Sequence, residues 1–465
     1  MALMRRRNPN SYFRRLTYLK KLFWLYFLLL IFEGALRKWV APQLSAPLLI
    51  IRDPVSLLII WEAYRTHKWP TRWAAAMALL TVIIMGLFTV QLIAGDNLLV
   101  ELFGLRTYLL PFPVLFIMGE NLDAEDLRRM GTLTLWLLLP MTLLEVGQYR
   151  APSNSFLNKG AFKGAGQIAF LGAHVRASGT FSFVIGAEEF AVLAAAFFFY
   201  AMIRGGMVKK WVLWASAFAL VLSIPMMGSR TIVFQLAALL GCVSLGAMMG
   251  ISQFGKTLRI IVPTAIIAFL AMQLPVFSSA MHNLSMRIFN SAYAGQVEQS
   301  RGQDVVNSAA NRLFSPIIDT FENPQYAQNW VGIGIGRGAV AVSAFLNGSH
   351  QAKAGETEFQ REFIEMGAIA GMLFAIFKLF LATLIFGQAL AKAREHEPLA
   401  LLLTPLSVIW LFFAQLEQPT EQGFVVIGVA FCIAAAKAPA RAAARAPLLV
   451  QRPRPLQYHR RAPGR

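Results

Sequence analysis

Charge is scarce in this chain. Only 14% of its 465 residues are Asp, Glu, Lys or Arg, against about 25% in soluble proteins. With 57% hydrophobic residues and a mean hydropathy of +0.54, that scarcity excludes an ordinary water-soluble fold. Disorder is excluded too, because so much apolar surface cannot stay solvated. Cysteine is nearly missing: Cys242 and Cys432 both lie in apolar runs, so no disulfide framework or thiolate metal site is available. Acids are the scarcer charge, 24 Asp+Glu against 43 Lys+Arg, for a net charge of +19. In a membrane chain this balance reads as positive-inside loops and anionic partners rather than nucleic acid. No Walker loop, dinucleotide fingerprint or zinc motif is present, so the sequence offers no support for ATP-driven transport by this chain alone. His174, His282 and His350 have no metal-ligand spacing, and neither a metal nor a cofactor is expected.

What is present are long apolar runs. At roughly 20 residues per crossing they make about twelve spans, read as 22–36, 46–63, 74–94, 98–118, 131–147, 181–203, 211–227, 232–250, 260–278, 361–391, 399–415 and 422–436. The fold class is therefore all-α, a polytopic membrane helix bundle. The basic N-terminus followed by an apolar run reads as a signal anchor, without a cleavable signal pattern. With both termini cytoplasmic, the inward tails and connections hold most of the Lys and Arg. The short outward connections then carry only Arg37, Lys38 and Arg230, as the positive-inside bias requires. Trp39, Trp61, Trp69, Trp73 and Trp211 sit near span ends, where interfacial anchors belong.

Two outward connections are too long for turns, about 148–180 and 279–360. The second precedes the tenth span as a long outward loop. It contains a predicted helix over Val305 to Phe321, expected to lie across the outer mouth as a lid. Residues 1–436 form the membrane domain with that loop inserted. Residues 437–465 form a basic cytoplasmic tail (Arg441, Arg445, Arg452, Arg454, Arg460, Arg461), expected to be disordered and either leaflet-bound or simply a topology determinant.

Charges within spans cost on the order of 2.5–3.5 kcal/mol on insertion scales, so each needs a partner or a cavity. Arg52-Asp53-Pro54 interrupts the second span and reads as an internal ion pair fixing a bend. Arg106 and Tyr108 interrupt the fourth, and Arg106 must face a cavity or an acid. Glu188 and Glu189 point to different faces of the sixth span, so at most one lines a given site. Lys378, in the tenth, is expected to snorkel or to be paired.

The outward side carries the densest chemistry. Arg176-Ala-Ser-Gly-Thr-Phe precedes the sixth span, and the tiny turn Gly228-Ser-Arg-Thr holds Arg230 at the rim. The plain reading of these arginines is headgroup anchoring. The sharper one is convergence on a pyrophosphate, which guanidinium forks bind bidentately. At the entry to the tenth span, Glu358, Arg361, Glu362 and Glu365 share a helical stripe, in which Arg361 and Glu365 could satisfy each other. That stripe is either a self-neutralised ladder or a catalytic rim whose desolvated carboxylate acts as general base. Gly332-Ile-Gly-Ile-Gly-Arg-Gly just upstream allows close backbone approach to a ligand.

Four segments, Arg176-Ala-Ser-Gly-Thr-Phe, Gly228-Ser-Arg-Thr, Gly332-Ile-Gly-Ile-Gly and Glu365-Met-Gly-Ala-Ile-Ala-Gly at the tenth span, resemble in order and placement the O-antigen ligase/polymerase superfamily of bacterial inner-membrane glycosyltransferases. The resemblance implies a type C glycosyltransferase-like fold. It also implies metal-independent, inverting transfer from an undecaprenyl-diphosphate-linked glycan at the periplasmic face, within a membrane whose lipids the bundle contacts. Carried over, Arg176 and Arg230 bind the diphosphate with Arg361 or Arg337 assisting, and Glu356 or Glu358 takes the acceptor proton. His350, Arg106 and Glu189 are possible accessories. The family's ligases place a His-Asn pair eleven residues before the glycine of the tenth span, where this chain has Glu356-Thr357; His350 falls six residues too early. That departure favours a polysaccharide polymerase over a ligase. A flippase and a chain-length regulator would then be partners. A ligase acting on lipid A-core, or a lipid-linked glycan transporter, are the competing readings.

Overall fold

The computed structural model describes residues 17–161, 170–171, 174–249, 273–293, 318, 320, 322, 330–337 and 358–438. Within these the chain is almost wholly helical. The one described sheet is the two-residue pairing of β1 (Phe170–Leu171) with β2 (His174–Val175). The helices are α1 (Tyr18–Ala35), α2 (Arg52–Arg65), α3 (Ala74–Ile93), α4 (Leu98–Tyr108), α5 (Pro111–Asn121), α6 (Ala124–Arg150), α7 (Val184–Arg204), α8 (Lys210–Met227), α9 (Arg230–Met248), α10 (Pro275–Tyr293), α11 (Glu358–Arg394), α12 (Leu399–Leu402), α13 (Trp410–Phe413) and α14 (Pro419–Lys437).

Nine helical stretches among the described residues are long and apolar enough to cross a membrane. The chain is an all-α, multi-pass membrane protein by that criterion. The nine correspond to the expected second to eighth, tenth and twelfth spans. The other three differ for separate reasons. The first forms as α1, but Lys20, Lys21 and Glu33 raise its charge. The ninth, 260–278, lies mostly outside the described residues. The eleventh is broken: Pro405 has no N–H to continue α12, and the chain passes through a wide π turn, Pro405–Ile409, before α13.

The interruptions follow the chemistry of the interrupting residues. α4 ends at Tyr108 and α5 begins at Pro111, where a missing N–H costs nothing. At the centre lies α14, buried along nearly its whole length against α5, α7 and α11. α6 packs along α8, and α1 along α2. Of the tryptophans expected as interfacial anchors, Trp61, Trp69 and Trp211 are exposed. Trp73 instead belongs to the core, stacked on Phe116 with ring centroids 4.8 Å apart and donating to Glu120.

The contacts define two ends of the bundle. At one end Lys20 bridges Asp123 and Asp126 in the capping box of α6, Arg204 meets Glu397, and Lys437 meets Glu120. At the other end gather the close of α1, the starts of α7, α9, α11 and α14, the end of α8 and the glycine-rich segment 330–337. The outward motifs of the sequence all fall here.

Candidate functional site

The short segment Arg176-Ala-Ser-Gly-Thr is held from three sides. Gln148, near the end of α6, accepts from the Ser178 and Gly179 amides (3.0 and 2.8 Å) and donates to the Gly179 carbonyl at 3.0 Å. Thr180 donates to the Ile31 carbonyl of α1 at 2.7 Å. Ala177 and Arg176 donate to the carbonyls of Met226 and Met227, the last residues of α8 (3.1 and 2.8 Å). Immediately after Met227 the chain turns on Gly228, which adopts the left-handed conformation (φ 56°). Ser229 then caps α9 by accepting from Thr231, and Arg230 is the first residue of that helix. The segments bearing Arg176 and Arg230 therefore meet. Arg176 also pairs with Glu188 of α7 at 3.2 Å.

A second line of charge runs from Glu188 into the heart of the bundle. Glu421, in the first turn of α14, feels the charges of Glu188, Glu358 and Arg361 and accepts from the Gln415 amide at 2.6 Å. Glu358 accepts from the Leu416 amide (3.1 Å) and from Arg361 (3.2 Å). Arg361 also reaches Glu417 at 3.0 Å. Glu421 and Glu358 are thus both tied to the backbone of the 415–421 connection, a polar run that is not among the expected site residues. Its signal was there: Gln415, Glu417, Gln418, Glu421 and Gln422 crowd one short stretch between two apolar ones.

Glu417 stands out within that run. One of its oxygens meets Arg361; the other is buried and has no hydrogen-bond partner among the described residues. Burial outweighs the neighbouring guanidinium and pushes its carboxyl up to about 7.

The expected stripe on α11 does not act as one face. Arg361 pairs with Glu358 and Glu417 rather than Glu365. Glu362 pairs with Lys378, which also lies over the rings of Phe374 and Phe412. Glu365 accepts from the Tyr108 hydroxyl at 2.8 Å and from the Gly336 amide at 2.9 Å. Here the glycine-rich segment finds its role. It docks on the helix where α11 breaks at Gly367 (φ 78°). Gly332, Gly334 and Gly336 all have positive φ, and a side chain on Gly332 would collide with the Glu365 carbonyl, as one on Gly367 would with that of Trp330. The side-chain amide of Gln91 locks the contact, donating to the carbonyls of Val331 and Glu365 and accepting from the Ile335 amide. Close backbone approach was expected toward a ligand; in the structure it is toward the kinked helix.

Other expected site residues stand apart. Arg337 pairs with Asp96 at the α3–α4 turn, away from Arg176 and Arg230. Arg106 pairs with Asp53 at 2.8 Å. Arg52 does not pair with its neighbour Asp53; it reaches Glu33 (3.2 Å) and the Pro419 carbonyl. Glu189 accepts from Gln235 at 2.8 Å, facing away from the Glu188–Arg176 pair. Glu356, His350 and the predicted 305–321 helix lie outside the described residues, apart from its Ile318 and Thr320. The 439–465 stretch of the tail lies outside them too.

Two basic residues of the α1 exit join the arginine turn. Arg37 donates to Ser182 (2.9 Å) and to the Ser45 carbonyl (2.9 Å), and pairs with Glu33. Lys38 donates to Ser178 (2.7 Å) and to the Gly179 carbonyl (3.3 Å). No family model, no curated protein and no solved structure matches this chain.

Proposed function

We propose that the chain is a polysaccharide polymerase, transferring an undecaprenyl-diphosphate-linked glycan onto a sugar hydroxyl of another lipid-linked unit at the periplasmic face of the bacterial inner membrane. The observation that carries this reading is the gathering of buried ion pairs at one end of the bundle, Arg176 with Glu188 and Arg361 with Glu358 and Glu417, with the acid Glu421 close to both. A reaction that expels a diphosphate needs cations at the leaving oxygens and a base at the incoming hydroxyl. Arg176 and Arg230 supply the first. Glu358 is poorly suited to the second, since its two oxygens are already held by Leu416 and Arg361. Glu356 or Glu417 takes the acceptor proton. The resemblance of the four motifs gives the donor class, and Glu356-Thr357 in place of the ligase His-Asn favours polymerisation.

The test is chain length on gels from cells carrying Arg230→Lys, Glu356→Gln or Glu417→Gln. Losing the bidentate fork at Arg230 is expected to cut polymerisation by about 100-fold, and at least one of the acid variants should do the same. Wild-type chain lengths in all three correctly inserted variants would sink the assignment.

A further inference from the structure

Nearly every deeply buried cation described at this end of the bundle has a carboxylate: Arg37 and Arg52 share Glu33, Arg176 has Glu188, and Arg361 has Glu358 and Glu417. Lys38 is different. It is 3% exposed, its two acceptors are a hydroxyl and a carbonyl, and no carboxylate lies in salt-bridge range among the described residues. Its charged neighbour is Arg37, of the same sign. Burial together with that guanidinium holds the Lys38 ammonium down to about 7. Isolated charges are not left in protein interiors without compensation. The side chain lines a pocket of about 20 Å³, room for one small group such as a single oxygen, whose polar side chains are those of Lys38, Arg176, Lys159, Ser178, Ser182, Asn158 and Gln148, beside Leu157, Gly160 and Val175. All the polar ones carry N–H or O–H donors, and none is an acid.

We propose that this pocket is an anion site for phosphate oxygens, with Lys38 and Arg176 as its cations and Ser178 as a donor. The chemistry is that of a phosphate ester, whether the diphosphate of a lipid-linked substrate or the headgroup of an anionic phospholipid. The inference rests on the proposed function only for the first source. An ammonium is a point charge with rotatable donors and suits a phosphate that moves during a reaction; a fixed structural role would be served by a carboxylate partner, as Glu33 serves Arg37 and Arg52.

The experiment uses the full chain purified in detergent, with inorganic pyrophosphate as probe in calorimetry, for wild type, Lys38→Met and Lys38→Arg. Lys38→Met should bind at least about tenfold more weakly, with Lys38→Arg recovering most of the loss. Its thermal stability should hold or rise, because an uncompensated buried charge has been removed. In parallel, protein from phosphatidylglycerol nanodiscs is examined by native mass spectrometry for retained lipid. Retention that depends on Lys38, with no pyrophosphate bound by wild type, assigns the site to a headgroup. Equal binding of both probes by wild type and Lys38→Met, or no binding of either by wild type, overturns the proposal; a purely structural lysine would show the first pattern with lowered stability. Transfer is not measured here. Failure of this test therefore leaves the polymerase reading standing, and unchanged chain lengths with Lys38-dependent binding would sink only the latter.

Discussion

The two ends of the bundle handle charge in opposite ways. Where Lys20 meets Asp123, and Lys437 meets Glu120, at least one partner of each pair is substantially in solvent. Such pairs contribute little and are readily replaced. At the other end the pairs Arg37–Glu33, Arg52–Glu33 and Arg361–Glu358 have both partners almost fully buried. Desolvating those ions is costly, and well-packed apolar residues would serve stability as well or better. Anchoring and topology explain the first end. They leave the second without a reason, and the proposed transfer site would supply one.

The contrast is broken most severely beneath the charged end. Lys378→Met alone would strand Glu362 in the interior and is expected to cost about 3–5 kcal/mol, whereas Lys437→Met at the far end should cost about 1 kcal/mol or less. Thermal unfolding of detergent-solubilised protein measures both, and the double variant Glu362→Leu/Lys378→Met should recover most of the first loss. Equal effects at the two positions would erase the distinction.

A middle-sized effect is expected at the docking of the glycine-rich segment. Gly367→Ala forces a side chain into a left-handed backbone against the Trp330 carbonyl; about 1–3 kcal/mol is lost. Hydrogen exchange of residues 330–337 should accelerate, while that of the Lys20–Asp126 end stays as it was.

The smallest effect sharpens the comparison by pH. Glu417 is held near 7 in the folded chain against an unfolded carboxyl near 4.5. Between those values the unfolded state releases its proton first, so stability from this group is full below about 4.5 and falls as pH rises through about 7. Glu417→Gln removes that slope. Relative to wild type its melting temperature should climb by a few degrees or less from pH 5 to 7. Parallel curves would show that Glu417 titrates as an ordinary surface acid.

How far the sequence could be read depends on the range of each interaction. Apolar run length identified the helices that form the nine candidate crossings, because burying twenty consecutive apolar residues requires no particular neighbour. The break at Pro405 and the burial of Trp73 were less legible: one depends on how a helix resumes after a missing N–H, the other on Phe116 and Glu120 arriving from another element. Helical periodicity put Glu358, Arg361, Glu362 and Glu365 on one stripe, yet only Glu358 and Arg361 meet within it; Arg361 also reaches Glu417, Glu362 turns to Lys378, and Glu365 to Tyr108 and Gly336. Glu417 was not legible because an acid in a short polar connection looks solvated until Arg361 pairs with it in the interior.

What the sequence alone determined is a multi-pass helical membrane chain whose Arg176, Arg230 and α11-entry segments must lie near helix ends. These properties come from hydropathy and charge summed along neighbouring residues. Only the tertiary structure decided which charges meet: Arg176 with Glu188, Arg361 with Glu417, the glycine run with a kinked helix, and Lys38 with no acid among the described residues. Pairing across dozens or hundreds of residues is set by how whole helices pack, and a buried ion's choice of partner follows from that packing rather than from its own position in the chain.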